Sequence, residues 1–110
     1  MVLVVVKRDR EGEPVGFSCV GHAGYAEKGA DVICAGISAL TMSTVLALGK
    51  LTNLRLKIKK NAAKGLLECN WSNIPKEMQC AGLIIQVMLI GLQDIEAQYP
   101  DYLKVSEVEV

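Results

Sequence analysis

The chain has few of the residues that mark several common classes of protein. It has a single histidine, and none of its four cysteines lies in a C-x-x-C pair. Because zinc ligands are usually closely spaced, we expect no metal and no cofactor. The formal net charge is zero, whereas a dedicated nucleic-acid-binding protein should show a basic excess, so we expect no direct nucleic-acid partner. Residues 1–6 are apolar without a leading positive region, which argues against a signal peptide and favours reduced thiols in the cytoplasm.

The length of 110 residues, of which 51% are hydrophobic, fits one domain over residues 1–110. The longest uncharged run, residues 32–49, only just reaches the length that a membrane span requires. It contains two serines and two threonines and lies between amphipathic strands. We therefore expect a buried core helix and no membrane association.

The hydrophobic pattern predicts five strands and two long helices. The strands are expected at 2–6, 15–20, 54–59, 65–71 and 102–110, and the helices from about 32 to 50 and from about 73 to a Tyr99-Pro100 end. Strand 54–59 alternates, with Leu54, Leu56 and Ile58 inward and basic residues outward. The order ββαββαβ predicts an α+β fold with a mostly antiparallel five-stranded sheet.

The second predicted helix has more apolar residues than one sheet face requires. Leu83, Ile84, Val87 and Ile90 lie outside the main apolar stripe. They either pack against the first helix or form a self-association surface. We favour a homodimer.

Residues 21–40 contain the candidate chemistry. Asp31 is a good N-cap, which would place Cys34 at the third helical position, where the helix dipole favours a thiolate. His22, the one histidine, lies twelve residues upstream at a strand end and could return over Cys34. The alternative is structural, with His22 as a polar strand-end residue and Cys34 as a small core residue. A glycine-rich substrate loop is expected between them, formed by Gly21, Ala23, Gly24, Tyr25 and Gly29.

The run Gly-His-Ala-Gly at 21–24, followed by Gly-Ala-Asp-Val-Ile-Cys-Ala-Gly-Ile-Ser-Ala-Leu at 29–40, resembles the signature of the Prp family of bacterial ribosomal-processing cysteine proteases. The Tyr-Pro-x-Tyr at 99–102 also fits, and Gly36 is a small departure, since alanine is more usual there. The resemblance covers essentially the whole chain. It implies that Cys34 and His22 form a catalytic dyad. It further implies that the substrate is a precursor of large-subunit ribosomal protein twenty-seven, from which a short N-terminal extension is removed in the bacterial cytoplasm.

The working mechanism is attack by the Cys34 thiolate on a peptide carbonyl, with His22 as general acid and base. The backbone amides of Ile33 and Cys34 are candidates for the oxyanion site, because first-turn amides have no partner within a helix. Asp31 could cap the helix or orient His22.

Two other functions remain open. One is a non-catalytic ribosome-associated binding module that uses a basic strand face formed by Arg55, Lys57 and Lys59. Such a face is more often a solvated sheet surface. The other is a thiol enzyme with a different substrate, such as an acyl hydrolase.

Overall fold

The computed structural model describes residues 1–22 and 28–110, with residues 28–31 described by their backbone alone. The strands are β1 (Val2–Arg8), β2 (Pro14–Val20), β3 (Lys57–Asn61), β4 (Leu66–Asn70) and β5 (Leu103–Glu109). The helices are α1 (Lys28–Leu51) and α2 (Met78–Gln98). Short 3₁₀ turns lie at Ala62–Lys64 and Pro75–Glu77. The element order confirms the predicted ββαββαβ arrangement and the α+β class.

The five strands form one sheet in the order β3-β4-β2-β1-β5. The β1–β2, β2–β4 and β3–β4 pairs are antiparallel, and β5 lies parallel to β1. Residues of β2 and β4 pair directly, with Phe17 opposite Cys69 and Cys19 opposite Leu67. This pairing has a functional consequence, because it brings the end of β2 beside the turn that precedes β4.

The core lies between the sheet and the two helices. Val4, Val6, Phe17 and Cys69 are fully buried on the inner face of the sheet, as their alternation in β1, β2 and β4 requires. On α2, the three- and four-residue spacing predicts an apolar stripe of Met78, Ala81, Ile85, Met88, Leu92 and Ile95, and all of these except Ile95 are buried. Leu89 is buried as well.

Several boundaries differ from the sequence prediction, and two of these differences bear on the sheet edge and on the site. The third strand begins at Lys57 rather than Leu54, and Ile58, expected to face inward, is 49% exposed. Because β3 is the edge strand of the sheet, its apolar side chain gains little cover from the neighbouring layer. Helix α1 begins at Lys28, earlier than the predicted start near Val32.

Two helical segments among the described residues are long and apolar enough to cross a membrane, Val32–Leu51 and Pro75–Gln98. This criterion is weak, because the core helices of globular proteins also meet it. Both segments contribute side chains to the hydrophobic core, including Ile37 and Leu48 from α1 and Ile85 and Leu92 from α2. That packing agrees with the core-helix prediction.

Candidate active site

A pocket of about 380 Å³ lies between α1 and the end of the β3–β4 hairpin. Four parts of the chain meet around it, namely β1, the end of β2, α1 and the β3–β4 hairpin. The end of β2 contributes Cys19, Gly21 and His22, and α1 contributes Cys34. Its remaining lining residues are Val2, Ile37, Ser38, Thr41, Met42, Lys60, Asn61, Ala62, Gly65, Leu66 and Leu67. The wall is mostly apolar, and the lone imidazole and a thiol both face the same space.

His22 follows β2 directly and its side chain is exposed. Gly21, immediately before it, has a φ of +106°, and a Cβ there would lie 2.5 Å from the carbonyl oxygen of Met1. This backbone conformation and this close approach both require glycine. The Gly21 N–H donates to the Gly65 carbonyl oxygen at 3.2 Å, and the amino group of Met1 donates to the His22 carbonyl oxygen at 2.9 Å. The backbone of His22 is therefore held from two sides.

Cys34 lies on α1 and is half-buried, with its side chain packed against the hydrophobic core. Because α1 begins at Lys28, Cys34 is the seventh residue of the helix and lies in its second turn. The dipole effect is strongest within the first turn. The predicted placement of Cys34 at the third helical position is therefore wrong, and the helix terminus offers less help to a thiolate than expected.

The earlier helix start also bears on Asp31 and on the predicted oxyanion site. Asp31 is the fourth residue of α1, so it does not precede the helix as an N-cap would. In a helix with these bounds, the amides of Ile33 and Cys34 are expected to donate to carbonyls four residues earlier. Their role as oxyanion donors stays a prediction that requires the first turn of α1 to open. The side chain of Asp31 lies outside the described residues.

Of the predicted substrate loop, Gly21 lines the pocket. Ala23, Gly24 and Tyr25 lie outside the described residues, so their predicted role is not tested. Gly29 is part of the α1 backbone.

Cys19 is a further thiol in the pocket, although its alternation with Phe17 in the second strand predicts that it faces the core beside Phe17 and has no catalytic role. It is buried, and burial raises its pKa from 9.0 to about 11, with a smaller contribution from the neighbouring Cys34. A thiol with a raised pKa is a poor nucleophile at neutral pH. The prediction that Cys19 faces the core beside Phe17 is confirmed, and its chemistry favours Cys34 as the reactive sulfur of the pair.

The contribution of the β3–β4 hairpin to this pocket was not predicted from the sequence. Asn61 and Gly65 lie about forty residues after His22, and no spacing rule connects them to it. The available signal was the glycine at the end of a polar turn. Among the described residues, no group of three or more histidine, cysteine, aspartate or glutamate side chains is placed to hold a metal ion.

The basic residues of the predicted strand face lie elsewhere. Lys59 pairs with Glu68 across the β3–β4 ladder, and Lys57 pairs with Asn70. Arg55 and Lys57 line a separate pocket of about 290 Å³ beside Trp71. All three basic residues, Arg55, Lys57 and Lys59, are exposed, as expected of a solvated sheet edge.

A thiol and an imidazole that share one largely apolar pocket are typical of enzymes that use a cysteine nucleophile. Comparisons with known proteins agree. The sequence model of the family described as "Cysteine protease Prp" matches residues 1–104. The chain therefore belongs to the Prp family of cysteine proteases.

Relatives and solved structures support the assignment over nearly the whole chain. The ribosomal processing cysteine protease Prp of Bacillus subtilis is 32% identical over 108 residues, which cover 96% of each protein. A crystal structure of an essential ribosomal processing protease Prp from S. aureus in complex with a substrate peptide has 30% identity and a TM-score of 0.84. The match covers 98% of this chain and 100% of that one. A second structure of Prp from S. aureus, with a covalently linked product peptide, matches with the same identity, coverage and TM-score.

Proposed function

We propose that this protein is the processing protease for a ribosomal protein precursor and that it removes a short N-terminal extension. The observation that carries the proposal is the shared pocket of His22 and Cys34 in a chain of this family. The specific substrate proposed is the precursor of large-subunit ribosomal protein twenty-seven. We propose the bacterial cytoplasm as its location, because a ribosomal protein precursor would be its substrate and thiols remain reduced there.

In the proposed reaction, His22 accepts the proton of the Cys34 thiol and the sulfur attacks the scissile carbonyl carbon. The tetrahedral intermediate collapses as the C–N bond breaks, and His22 donates the proton to the departing amine. Water, deprotonated by His22, then attacks the thioester, and the release of the carboxylate product restores the thiol. The covalently linked product peptide in the S. aureus relative supports a covalent route.

The apolar lining of the pocket indicates which residues it accepts. The apolar lining residues include Ile37, Met42, Leu66 and Leu67. Among the described residues that line the pocket, Lys60 is the one lysine, arginine, aspartate or glutamate. An extended substrate with apolar side chains next to the scissile bond would bury them against this wall. The family resemblance likewise implies a hydrophobic, aromatic-containing cleavage sequence.

The direct test is incubation of the protein with the extended ribosomal protein, followed by mass measurement of the products. The wild type should release one N-terminal peptide, and Cys34→Ser and His22→Ala should leave the precursor intact while keeping the folded circular dichroism spectrum. Cys80→Ser is the matched control, because Cys80 is also half-buried but lies outside the pocket. Cleavage by Cys34→Ser at the wild-type rate would contradict the proposal.

The basic strand face offers a second candidate function, ribosome-associated binding. Replacement of Arg55, Lys57 and Lys59 by glutamine should leave precursor cleavage unchanged if catalysis is the function. A wild type that leaves the precursor intact but binds ribosomes, and loses that binding when those charges are removed, would favour the binding alternative.

We also propose a homodimer through the outer faces of the helices. On α2, Leu83, Val87 and Ile90 are 64%, 68% and 60% exposed, so α1 leaves most of each side chain uncovered. A groove of about 210 Å³ runs beside them, lined by Leu40, Ser43, Thr44, Ala47, Ile84, Val87 and Met88. A second copy would cover this apolar surface.

Analytical ultracentrifugation tests the dimer. Val87→Glu should shift the sedimentation coefficient to that of a monomer, while Val108→Glu, at an exposed apolar position on β5, should not. A wild type that sediments as a monomer at high micromolar concentration would overturn the proposal.

A further inference from the structure

The turn between β3 and β4 approaches the backbone and the imidazole of His22. The Gly65 carbonyl oxygen accepts a hydrogen bond from the Gly21 N–H at 3.2 Å. A Cβ at Gly65 would lie 2.6 Å from the Gly21 carbonyl oxygen and 3.0 Å from Cε1 of His22. The imidazole therefore lies against the glycine, where only a hydrogen fits.

The conformation of this turn depends on a few polar contacts. The Asn61 side-chain oxygen accepts from the Lys64 N–H at 3.2 Å, and the Gly65 N–H donates to the Ala62 carbonyl oxygen at 3.1 Å. Gly65 itself has φ +60° and ψ 37°, in the left-handed region. The turn residues 62–64 are exposed, so core packing does not hold the turn in place. The ladder pair Asn61–Leu66 anchors the ends of the turn, and the Asn61 side chain and the backbone conformation of Gly65 shape the turn between them.

The imidazole of His22 has little else to fix its orientation. Across residues 1–22 and 28–110, the hydrogen bonds found at His22 involve its backbone and not its ring nitrogens. Its side chain is exposed, so burial does not restrict its rotamers. A general base must lie within hydrogen-bond reach of the proton that it accepts, and a displacement of 1 Å can reduce a rate about a hundredfold.

We propose that Asn61 and Gly65 are positioning residues that hold His22 toward the Cys34 side of the pocket. Gly65 provides a surface on which the ring rests, and Asn61 holds the turn that presents Gly65. Neither residue exchanges protons with the substrate. The inference rests on the proposed dyad of His22 and Cys34, and it adds the second hairpin as the support of that dyad.

Gly65 could instead be required only for its backbone conformation, which costs a non-glycine residue about 1 kcal/mol. Gly12 provides the matched control, because it has φ +82° and a Cβ there would have nothing within 4 Å. Gly12→Ala therefore imposes similar backbone strain without contact with His22. Asn61→Asp keeps a side-chain oxygen for the Lys64 N–H, whereas Asn61→Ala removes it.

The first readout is an NMR measurement that does not depend on catalysis. With one histidine in the chain, the Hε1 signal of His22 is unique. We expect a nuclear Overhauser effect between this proton and the Hα protons of Gly65 in the wild type, in Asn61→Asp and in Gly12→Ala. It should be lost or strongly reduced in Asn61→Ala.

The second readout is the rate of Cys34 alkylation by iodoacetamide between pH 5 and 9, compared with His22→Ala. We expect Asn61→Ala and Gly65→Ala to lower the rate at pH 7 about tenfold or more and to shift the pH profile toward that of His22→Ala. Asn61→Asp and Gly12→Ala should keep the wild-type profile. If Gly65→Ala does not fold, as judged by circular dichroism, the pair Asn61→Ala and Asn61→Asp decides the question.

A folded Asn61→Ala with the wild-type pH profile would overturn the positioning role while the dyad stands. Equal alkylation rates in the wild type and His22→Ala would instead contradict the dyad itself. The two failures are therefore distinguishable.

Discussion

Selective alkylation of the four thiols is the sharpest prediction of this structure. Cys34 and Cys80 are half-buried, whereas Cys19 and Cys69 are buried. Iodoacetamide reacts with the thiolate form and must reach the sulfur, so the rate depends on the exposure of the sulfur and on the fraction of thiolate. At pH 7 we expect the order Cys34 first, then Cys80, then the two buried thiols.

The size of the difference can be worked out for the buried thiols. Burial raises the pKa of Cys69 from 9.0 to about 11, and burial with the nearby Cys34 raises that of Cys19 to a similar value. A pKa raised from 9.0 to about 11 lowers the thiolate fraction at pH 7 about a hundredfold. Restricted access reduces the rates further, so Cys19 and Cys69 should react at least about a hundredfold more slowly than an ordinary exposed thiol.

Cys80 is the informative comparison for Cys34. It is the third residue of α2, the position that the sequence analysis assigned to Cys34 on α1, and its Sγ donates to the Leu51 carbonyl oxygen at 3.7 Å. If a helix terminus alone activated a thiol, Cys80 would react as fast as Cys34. Proximity to His22 predicts instead that Cys34 reacts at least about tenfold faster, and that His22→Ala removes this advantage.

The assay is a time course of alkylation, quenched in acid and read by peptide mass spectrometry, with all four cysteines followed in one sample. Equal rates for Cys34 and Cys80 in the wild type would refute the role of His22. Fast modification of Cys19 in the folded protein would refute the burial argument.

Other predictions follow from the core. The buried thiols of Cys19 and Cys69 keep their protons up to about pH 11, whereas the same thiols in the unfolded chain lose them near pH 9. The free energy of unfolding should therefore decrease as the pH rises from 9 to 11, and a comparison of denaturant midpoints at pH 8 and pH 10.5 measures this decrease. Trp71→Phe removes the hydrogen bond from Nε1 to the buried Pro14 carbonyl oxygen at 2.8 Å, and we expect a loss of about 1–3 kcal/mol by urea unfolding. Phe17→Ala empties a fully buried site and should cost about 3–5 kcal/mol, with a loss below 1 kcal/mol contradicting its place in the core.

Local patterns in the sequence were sufficient for most of the fold. The alternation in β2 predicted that Phe17 and Cys19 are buried, because successive residues of a strand face opposite sides of the sheet. In β1, the continuous β-branched run predicted burial on both faces or nearly so, whereas Val2, Val4 and Val6 are buried and Leu3 is 42% exposed. The three- and four-residue spacing of apolar residues in α2 predicted its buried stripe for the same kind of reason. Ile58 is another exception, since its exposure depends on β3 lying at the edge of the sheet, which no local pattern shows.

For the active site, the sequence by itself determined the two reactive groups, His22 and Cys34, and the resemblance that connects them. Only the tertiary structure decided that both face one pocket, that Cys34 lies in the second turn of α1, and that Gly65 lies against the imidazole. The physical reason is that residue types and the periodicity of apolar residues are properties of short stretches of sequence. The contact between residues 22 and 65 exists because β2 and β4 are neighbours in the sheet, and strand order is a property of the whole packed chain.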